Sequence, residues 1–133
     1  MTPKEFRAAV FAEVQTWALA NFPTMPILYE NGPTPDEGAM GSMWLDIEMR
    51  WYSASVAAIG TPPRMRHTGA VSAMCFYRTG EGTDAPDSVI DSLSEYLQAR
   101  RLGAGVLEAP QRTVPTKLRG WHKTGIFLPF VLG

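Results

Sequence analysis

The sequence has one cysteine and only two histidines, which excludes several kinds of site. Cys75 has no partner for an internal disulfide, and its position in an apolar run favours a small buried residue over a reactive thiol. A chain without disulfides fits a reducing compartment. His67 and His122 are far apart in sequence, and one cysteine does not complete a ligand set with them. The sequence therefore predicts no metal site.

The sequence also lacks an excess of either charge and lacks long apolar runs. Twelve basic residues stand against thirteen acidic ones, so overall charge gives no reason to expect binding to nucleic acid or to an anionic membrane. The first 25 residues include Glu5 and Glu13 and no continuous apolar stretch, and no later window approaches about 18 apolar residues. We therefore expect neither a secretion signal nor a membrane span.

The length and composition of the sequence are sufficient for one hydrophobic core. Its 133 residues correspond to one domain, since domains commonly have roughly 100 to 150 residues. The 12 glycines and 11 prolines indicate more loops than a helical bundle would need. The sequence therefore predicts a single domain over residues 1–133, with flexible loops near 31–42, 53–66 and 109–119.

The first predicted helix has a clear start signal and one apolar stripe. Residues 2–5, TPKE, combine a capping threonine, a proline at the first helical position and the glutamate of a capping box. We expect the helix to begin at Pro3 and to end near Ala20. Phe11 and Leu19 lie off the stripe, where they either widen the buried face or are covered by a neighbouring subunit. The stripe, at helical spacing, consists of Phe6, Val10, Val14 and Trp17.

The second predicted helix precedes Arg101, with Gly103 and Gly105 expected to end it. Thr83 or Asp84 is expected as its N-cap, after the turn that contains Gly80 and Gly82. Its predicted buried face consists of Val89, Ile90, Leu93, Tyr96, Leu97 and Arg100.

Alternating and apolar stretches predict the strands. Ile27–Tyr29 follows a proline and suits an edge strand, whereas 43–52 alternates cleanly between apolar and polar residues. The run 70–77 is apolar or small on both faces, which is typical of a central strand. Further strands are expected at 106–108 and 121–132. Together with the two helices, these strands predict an α+β fold.

Two residues inside predicted strands indicate irregularities. Gly69 suggests a bulge or the close approach of another backbone. Pro129 implies an edge or a bulge, because proline donates no ladder hydrogen bond.

Two features invite a catalytic or ligand-binding interpretation. Asp46 and Glu48 lie about 7 Å apart on one strand face, a separation that paired-carboxylate catalysis can use, but no third catalytic group is recognisable near them. Gly80 and Gly82 precede a helix N-terminus that could hold phosphate, but no phosphate-binding motif is complete and acidic neighbours would repel the anion. We therefore predict no catalytic residue and no cofactor.

The candidate contact residues lie in the predicted loops and at a strand end. Met40 is the sizeable apolar residue of the first loop, where it is either a partner anchor or a stray surface methionine. Arg64, Arg66 and His67 either contact nucleic acid or an acidic partner, or form a solvated strand end. The segment 109–119 contains two prolines and could project as an arm. The candidate subunit or tube contacts are Met40, Arg64, Arg66, Arg112, Lys117 and Arg119.

The order of elements resembles the small tail terminator proteins of long-tailed bacteriophages. The resemblance covers nearly the whole chain and is carried by three stretches, EFRAAVFAEVQTWA, HTGAVSAMCFYRTGEGTDAPDSVIDSLSEYLQ and GWHKTGIFLPFVL. The family offers no catalytic residue to carry over. The resemblance implies a mixed, mostly antiparallel β-sheet of four to five strands with two main helices packed on one face. It also implies a homo-oligomeric ring, a hexamer whose subunits can be monomeric when dilute.

The resemblance also implies partners and a place of action. Such a ring caps the tail tube protein, ends its polymerisation and presents a surface to head-tail connector proteins, with DNA only passing through its lumen. It belongs to the virion, at the junction of tail and head, and is assembled in the bacterial cytoplasm. Two alternatives stay open from the residues: a head-tail joining or neck protein, and a small nucleotide- or ligand-binding enzyme.

Overall fold

The computed structural model describes residues 1–30, 32, 40–60, 63–78, 80, 82–118 and 120–133. Two helices and eight strands are assigned in this part of the chain. In chain order they are α1 (Pro3–Asn21), β1 (Ile27–Tyr29), β2 (Met43–Ala58), β3 (Arg64–Arg78), α2 (Asp84–Leu97), β4 (Arg101–Leu102), β5 (Gly105–Leu107), β6 (Gln111–Arg112), β7 (Thr116–Leu118) and β8 (Trp121–Leu132).

The strands form one mixed sheet in the order β1-β2-β3-β8-β5-β4. β1 is parallel to β2 and every other pairing is antiparallel, so the predicted α+β fold with a mostly antiparallel sheet is confirmed. The central position of β3, between β2 and β8, is also confirmed. The sheet has more strands than the four to five predicted. The additional strands β4, β6 and β7 are only two or three residues long. Strands that short show no alternation in the sequence.

The first helix agrees with its sequence signals. Thr2 accepts a hydrogen bond from the Glu5 backbone N–H, and the Glu5 carboxylate accepts one from the Thr2 backbone N–H, which completes the predicted capping box. The helix begins at Pro3 and ends at Asn21. Its predicted stripe is buried, and Leu19 is 61% exposed. Phe11 is partly buried against the core and so widens the buried face.

The second helix ends earlier than expected. It stops at Leu97, and Ala99 adopts φ 55, a left-handed conformation that a helix does not continue through. The expectation that Gly103 and Gly105 end this helix is wrong. Instead Gly103, at φ 59, lies in the turn between β4 and β5. Gly105 has no room for a Cβ, which would lie 2.2 Å from the ring of Phe6.

The core lies between the helices and one face of the sheet. The two helices are joined by hydrogen bonds from the Trp17 indole N–H to Ser92 (3.0 Å) and from the Tyr96 hydroxyl to Glu13 (2.8 Å). Both therefore cover the same sheet face, as predicted. The sheet residues buried beneath them include Leu45, Ile47, Val71, Ala73, Ile126 and Leu128.

The two irregular positions have physical reasons. At Gly69 a Cβ would lie 2.1 Å from the Arg50 carbonyl oxygen, and the register of β2 shifts beside it, so both the close approach and the bulge are present. Pro129 lies in an inner strand with an unbroken register to β3. Its other side faces the interval between β5 and β6, where Glu108 N–H donates to the Pro129 carbonyl at 2.8 Å. Pro129 is thus tolerated at a local gap in the ladder.

The predicted loops are mostly not loops. In the segment 53–66, β2 continues to Ala58 and β3 begins at Arg64. The segment 109–119 does not project as an arm, because β6 and β7 pair with β8. Most of 31–42 lies outside the described residues. The expectation that Met40 is exposed is wrong, since its exposed fraction is 5%.

Burial predicts a large difference between two leucines on the two helices. Leu93 is fully buried, so Leu93→Ala should lower the free energy of unfolding by about 2–5 kcal/mol. Leu19→Ala, the same change at a residue 61% exposed, should alter it by less than about 0.5 kcal/mol. Chemical denaturation of both variants measures the difference. Similar losses in the two would contradict the packing described here.

Candidate interaction surface

Beyond the body of the sheet, β2 and β3 continue as a two-stranded ribbon. β8 pairs with β3 only as far as His67, and β1 pairs with β2 only at 45–47. We call the described residues 53–60 and 63–66 the ribbon. Its side chains are exposed throughout. A two-stranded ribbon has little stability of its own, so this one depends on the sheet that it continues.

The ribbon has two chemically different faces. β3 has no irregularity of its own, so the face that buries Val71 continues through Gly69 and His67 to Met65. Met65 pairs with Val56 of β2, and cross-strand partners lie on the same face. The helix-bearing face of the sheet therefore continues onto the ribbon as an apolar pair.

The opposite face of the ribbon is polar and basic. Arg66 pairs with Ser55, and Arg64 pairs with Ala58. The hydroxyl oxygens of Ser53 and Thr68 lie 2.7 Å apart where this face begins. The ribbon is thus amphipathic although none of its side chains is buried.

The apolar side chains of the ribbon are unusually open to solvent. Val56 is 57% exposed, Met65 42% and Ile59, beyond the end of β2, is fully exposed. Tyr52, the extra residue of the bulge that precedes the ribbon, is 65% exposed. Exposed apolar side chains grouped on one element are typical of an interaction site.

Sequence reasoning identified the cations of this surface but missed its apolar residues. Gly60, Pro62 and Pro63 made the whole stretch look like a loop. Register shifts between Trp51 and Ser53 and between Val56 and Ala58 also hide the alternation. The signal that was available is the β-branched Val56 and Ile59 directly after a strong strand pattern.

The candidate contact residues are not brought together. Arg64 and Arg66 lie on the ribbon, whereas Lys117 is exposed on β7, at the far end of β8. Arg119 lies outside the described residues. Arg112 binds Asp87 and Asp91 of α2 within the chain, the latter at 2.7 Å, and so fixes β6 against the helix. Met40 lines a cleft beside Phe22, Met25 and Met43.

The features that invited an enzymatic interpretation lie on opposite sides of the sheet. Asp46 and Glu48 are on the face without helices, since their neighbours Leu45 and Ile47 are in the core. Gly80 and Gly82, at φ 93 and 83, form the turn before α2, as predicted. They border a cavity of about 280 Å³ whose other lining residues are Tyr77, Thr83 and His122. Asp46 and Glu48 do not line this cavity.

Thr83 occupies the N-cap position of α2, but its side chain makes no capping bond. Within the described ranges, no group of three or more His, Cys, Asp or Glu side chains is placed to hold a metal ion. No helix in the described part of the chain is long and apolar enough to cross a membrane.

Comparison with known proteins gives a structural match alone. No family model matches the sequence, and no curated protein matches it. Two chains of solved structure match. One of them, whose name describes no function, aligns with 100% of this chain and 96% of its own length at a TM-score of 0.77 and 16% identity. At this identity the match shows a shared fold.

The thiol of Cys75 is expected to be inert in the folded chain. Cys75 is fully buried, as predicted, and burial followed by the nearby Asp87 carboxylate raises its pKa to about 12. Because the thiolate is the reactive form, a thiol reagent should modify the native chain only as fast as the chain opens. Val114→Cys, at a position 81% exposed, should add one rapidly reacting thiol. Equally rapid reaction of native Cys75 would contradict its burial.

Asp46 is expected to lower stability at neutral pH. Its pKa is raised, first by desolvation and then by the Glu48 carboxylate, with Lys123 acting in the opposite direction. A carboxyl whose pKa is higher in the folded chain than in the unfolded chain lowers the free energy of unfolding as the pH rises from its unfolded pKa through its folded pKa. Asp46→Asn should therefore raise the free energy of unfolding at pH 7.

The gain from Asp46→Asn should shrink in acid, below about pH 4, where aspartate is protonated in both states. Denaturation curves at pH 7 and pH 3 measure it, with Glu108→Gln as the control at an exposed carboxylate. A gain that does not change with pH would refute the assigned cause.

Proposed function

We propose that this chain is a structural virion protein of a tailed bacteriophage, a tail terminator that assembles as a hexameric ring. The ring caps the tail tube protein, ends its polymerisation and offers the surface to which head-tail connector proteins attach. DNA only passes through its lumen. The protein acts by assembly at the junction of tail and head, without catalysing a reaction, after being made in the cytoplasm of a bacterial host.

The observation that supports assembly most directly is the ribbon. It places Val56, Ile59 and Met65 in solvent on an element that no other described strand or helix covers. Exposed apolar area of this kind is stabilised when a partner removes it from water, at about 25 cal/mol per Å². The identity of the assembly rests on the resemblance of the sequence to tail terminators, together with the α+β fold expected from it.

Particles made without this protein test the proposal. In a phage that encodes it, deletion should give overlong or unfinished tails by electron microscopy. Normal tails detached from filled heads would instead favour a head-tail joining role and would contradict the terminator function. Normal, joined particles would contradict both roles.

A matched pair of valine substitutions tests the contribution of the ribbon to this function. Val56→Asp puts a charge on the apolar face of the ribbon and should reduce tail completion by at least about tenfold, since burying an unpaired charge costs well over 1.4 kcal/mol. Val114→Asp makes the same change at an exposed valine before β7 and should be tolerated. Complementation of the deletion phage gives both values. If both variants complemented the deletion equally well, the ribbon would have no role in tail completion.

A further inference from the structure

The outer edge of β2 is open along the ribbon. On the side away from β3, β2 pairs with β1 at 45–47, and the Met49 backbone N–H donates to the Glu30 carboxylate at 3.3 Å. No other described strand pairs with β2 on that side. Residues 51–58, WYSASVAA, contain no charged residue and no proline, two of the devices that protect an edge strand from pairing. The edge is therefore available to a further strand.

The register identifies the backbone groups on this edge. In the body of β2 the odd-numbered residues direct their N–H groups outward, as the bond from the Leu45 N–H to the Pro26 carbonyl (3.0 Å) shows. Outward and inward residues alternate along an antiparallel strand, and the bulge at Tyr52 shifts this alternation by one. In the ribbon, Ala54 and Val56 therefore direct both their N–H and their C=O groups away from β3.

The charges of the ribbon are kept off this edge. Val56, opposite Met65, and Ala54 lie on the helix-bearing side of the ribbon, and Ser55, opposite Arg66, lies on the other side. The arginines of the ribbon are on β3, the inner strand with respect to this edge. The edge strand itself therefore presents small and apolar side chains on one face and serines on the other.

The edge that matches this one in length and chemistry is the same edge of a second copy. The other strands at the rim of the sheet, β1, β4, β6 and β7, have only two or three residues each. Cations are present on β4, β6, β7 and the β3 side of the ribbon, namely Arg101, Arg112, Lys117, Arg64 and Arg66. Among the described strands, β2 thus supplies the one uncharged edge longer than three residues.

We propose that two copies of the chain pair antiparallel through the ribbon edges of β2, about a two-fold axis at Ser55. Ala54 of each copy is then opposite Val56 of the other, and the two residues exchange both hydrogen bonds of an antiparallel pair. The two bulges of β2 lie outside 53–56 and limit the pairing to this stretch. The contact is isologous, so it differs from the head-to-tail contacts that close a ring and does not rest on the proposed function.

The pairing joins the apolar faces and keeps the arginines apart. On the helix-bearing side, Met65 and Val56 of one copy continue into Ala54 of the other, which removes exposed apolar area from water. On the other side, the two Arg66 positions are separated by both β2 strands, three strand spacings or about 14 Å. This exceeds the Debye length of about 8 Å at physiological ionic strength, so their repulsion is largely screened.

Cysteine at the two-fold axis tests both the pairing and its register. Opposed residues of a non-hydrogen-bonded antiparallel pair have Cα atoms about 4.5 Å apart, within the disulfide range of about 4.4–6.8 Å. Ser55→Cys should therefore give a covalent dimer under mild oxidation. Ser53→Cys, the same change on the same face, lies four residues out of register, about 13 Å, and should crosslink at least about tenfold more slowly. Buried Cys75 is common to both variants, and equal rates would overturn the pairing.

A proline on the edge tests whether backbone hydrogen bonds hold the two copies together. The N–H that Ala54→Pro removes points away from β3, so the ribbon keeps its bonds to β3 while each Ala54–Val56 pair loses one hydrogen bond. In the Ser55→Cys chain this change should slow crosslinking at least about tenfold, with circular dichroism and denaturation curves as the check on folding. Undiminished crosslinking in a folded Ala54→Pro chain would contradict pairing through the edge.

Sedimentation velocity of the native chain measures the contact without cysteines. Because the two Arg66 side chains repel each other and the remaining contact is uncharged, added salt should raise the fraction of dimer. An acidic extended segment of another protein on this edge would instead bind more weakly at higher salt, and a dimer that weakens with salt would refute the inference. A native chain that stays monomeric at every concentration, with equal crosslinking of the two cysteine variants, would likewise refute it.

Discussion

The structure depends on one constraint: the β2–β3 ladder is longer than the layers that cover it. The two strands pair from Met43 opposite Tyr77 to Ala58 opposite Arg64. β8 supports this ladder only to His67, and the residues that pack under the helices extend only as far as Trp51 of β2 and Leu132 of β8. Inside that limit the shared face is buried. Beyond it the same face carries Val56 and Met65 into solvent, which is the origin of the candidate surface.

The part of the fold inside this limit was largely predictable from the sequence. The signals there are local and reinforce one another: the capping box at residues 2–5 fixes the start of α1, and a stripe at helical spacing identifies its buried face. The alternation of Leu45, Ile47 and Met49 likewise identifies the buried face of β2. Where a single period runs unbroken over ten or more residues, burial follows it, because only one face can be packed.

The rest could not be predicted because its determinants lie elsewhere in the chain. Two bulges in β2 interrupt the alternation just where the ribbon begins, and a bulge depends on the partner strand, here on Gly69 of β3. The short strands β5, β6 and β7 form along the edge that β8 offers them, and β4 in turn pairs with β5. Met40 is buried and lines one cleft with residues of the α1–β1 connection, which its small and polar neighbours in the sequence do not reveal. In the candidate surface the bulges hide the alternation and the partner strand is distant in sequence, so only its arginines could be identified from the sequence.

The bulges of β2 affect the ribbon in a second way. A bulge bends its strand and increases the local twist of the strand pair, so the register shifts between Trp51 and Ser53 and between Val56 and Ala58 turn the ribbon relative to the sheet that it continues. The same shifts that hide the alternation in the sequence therefore also determine the direction in which Val56 and Met65 face where the ladder leaves the covered part of the sheet.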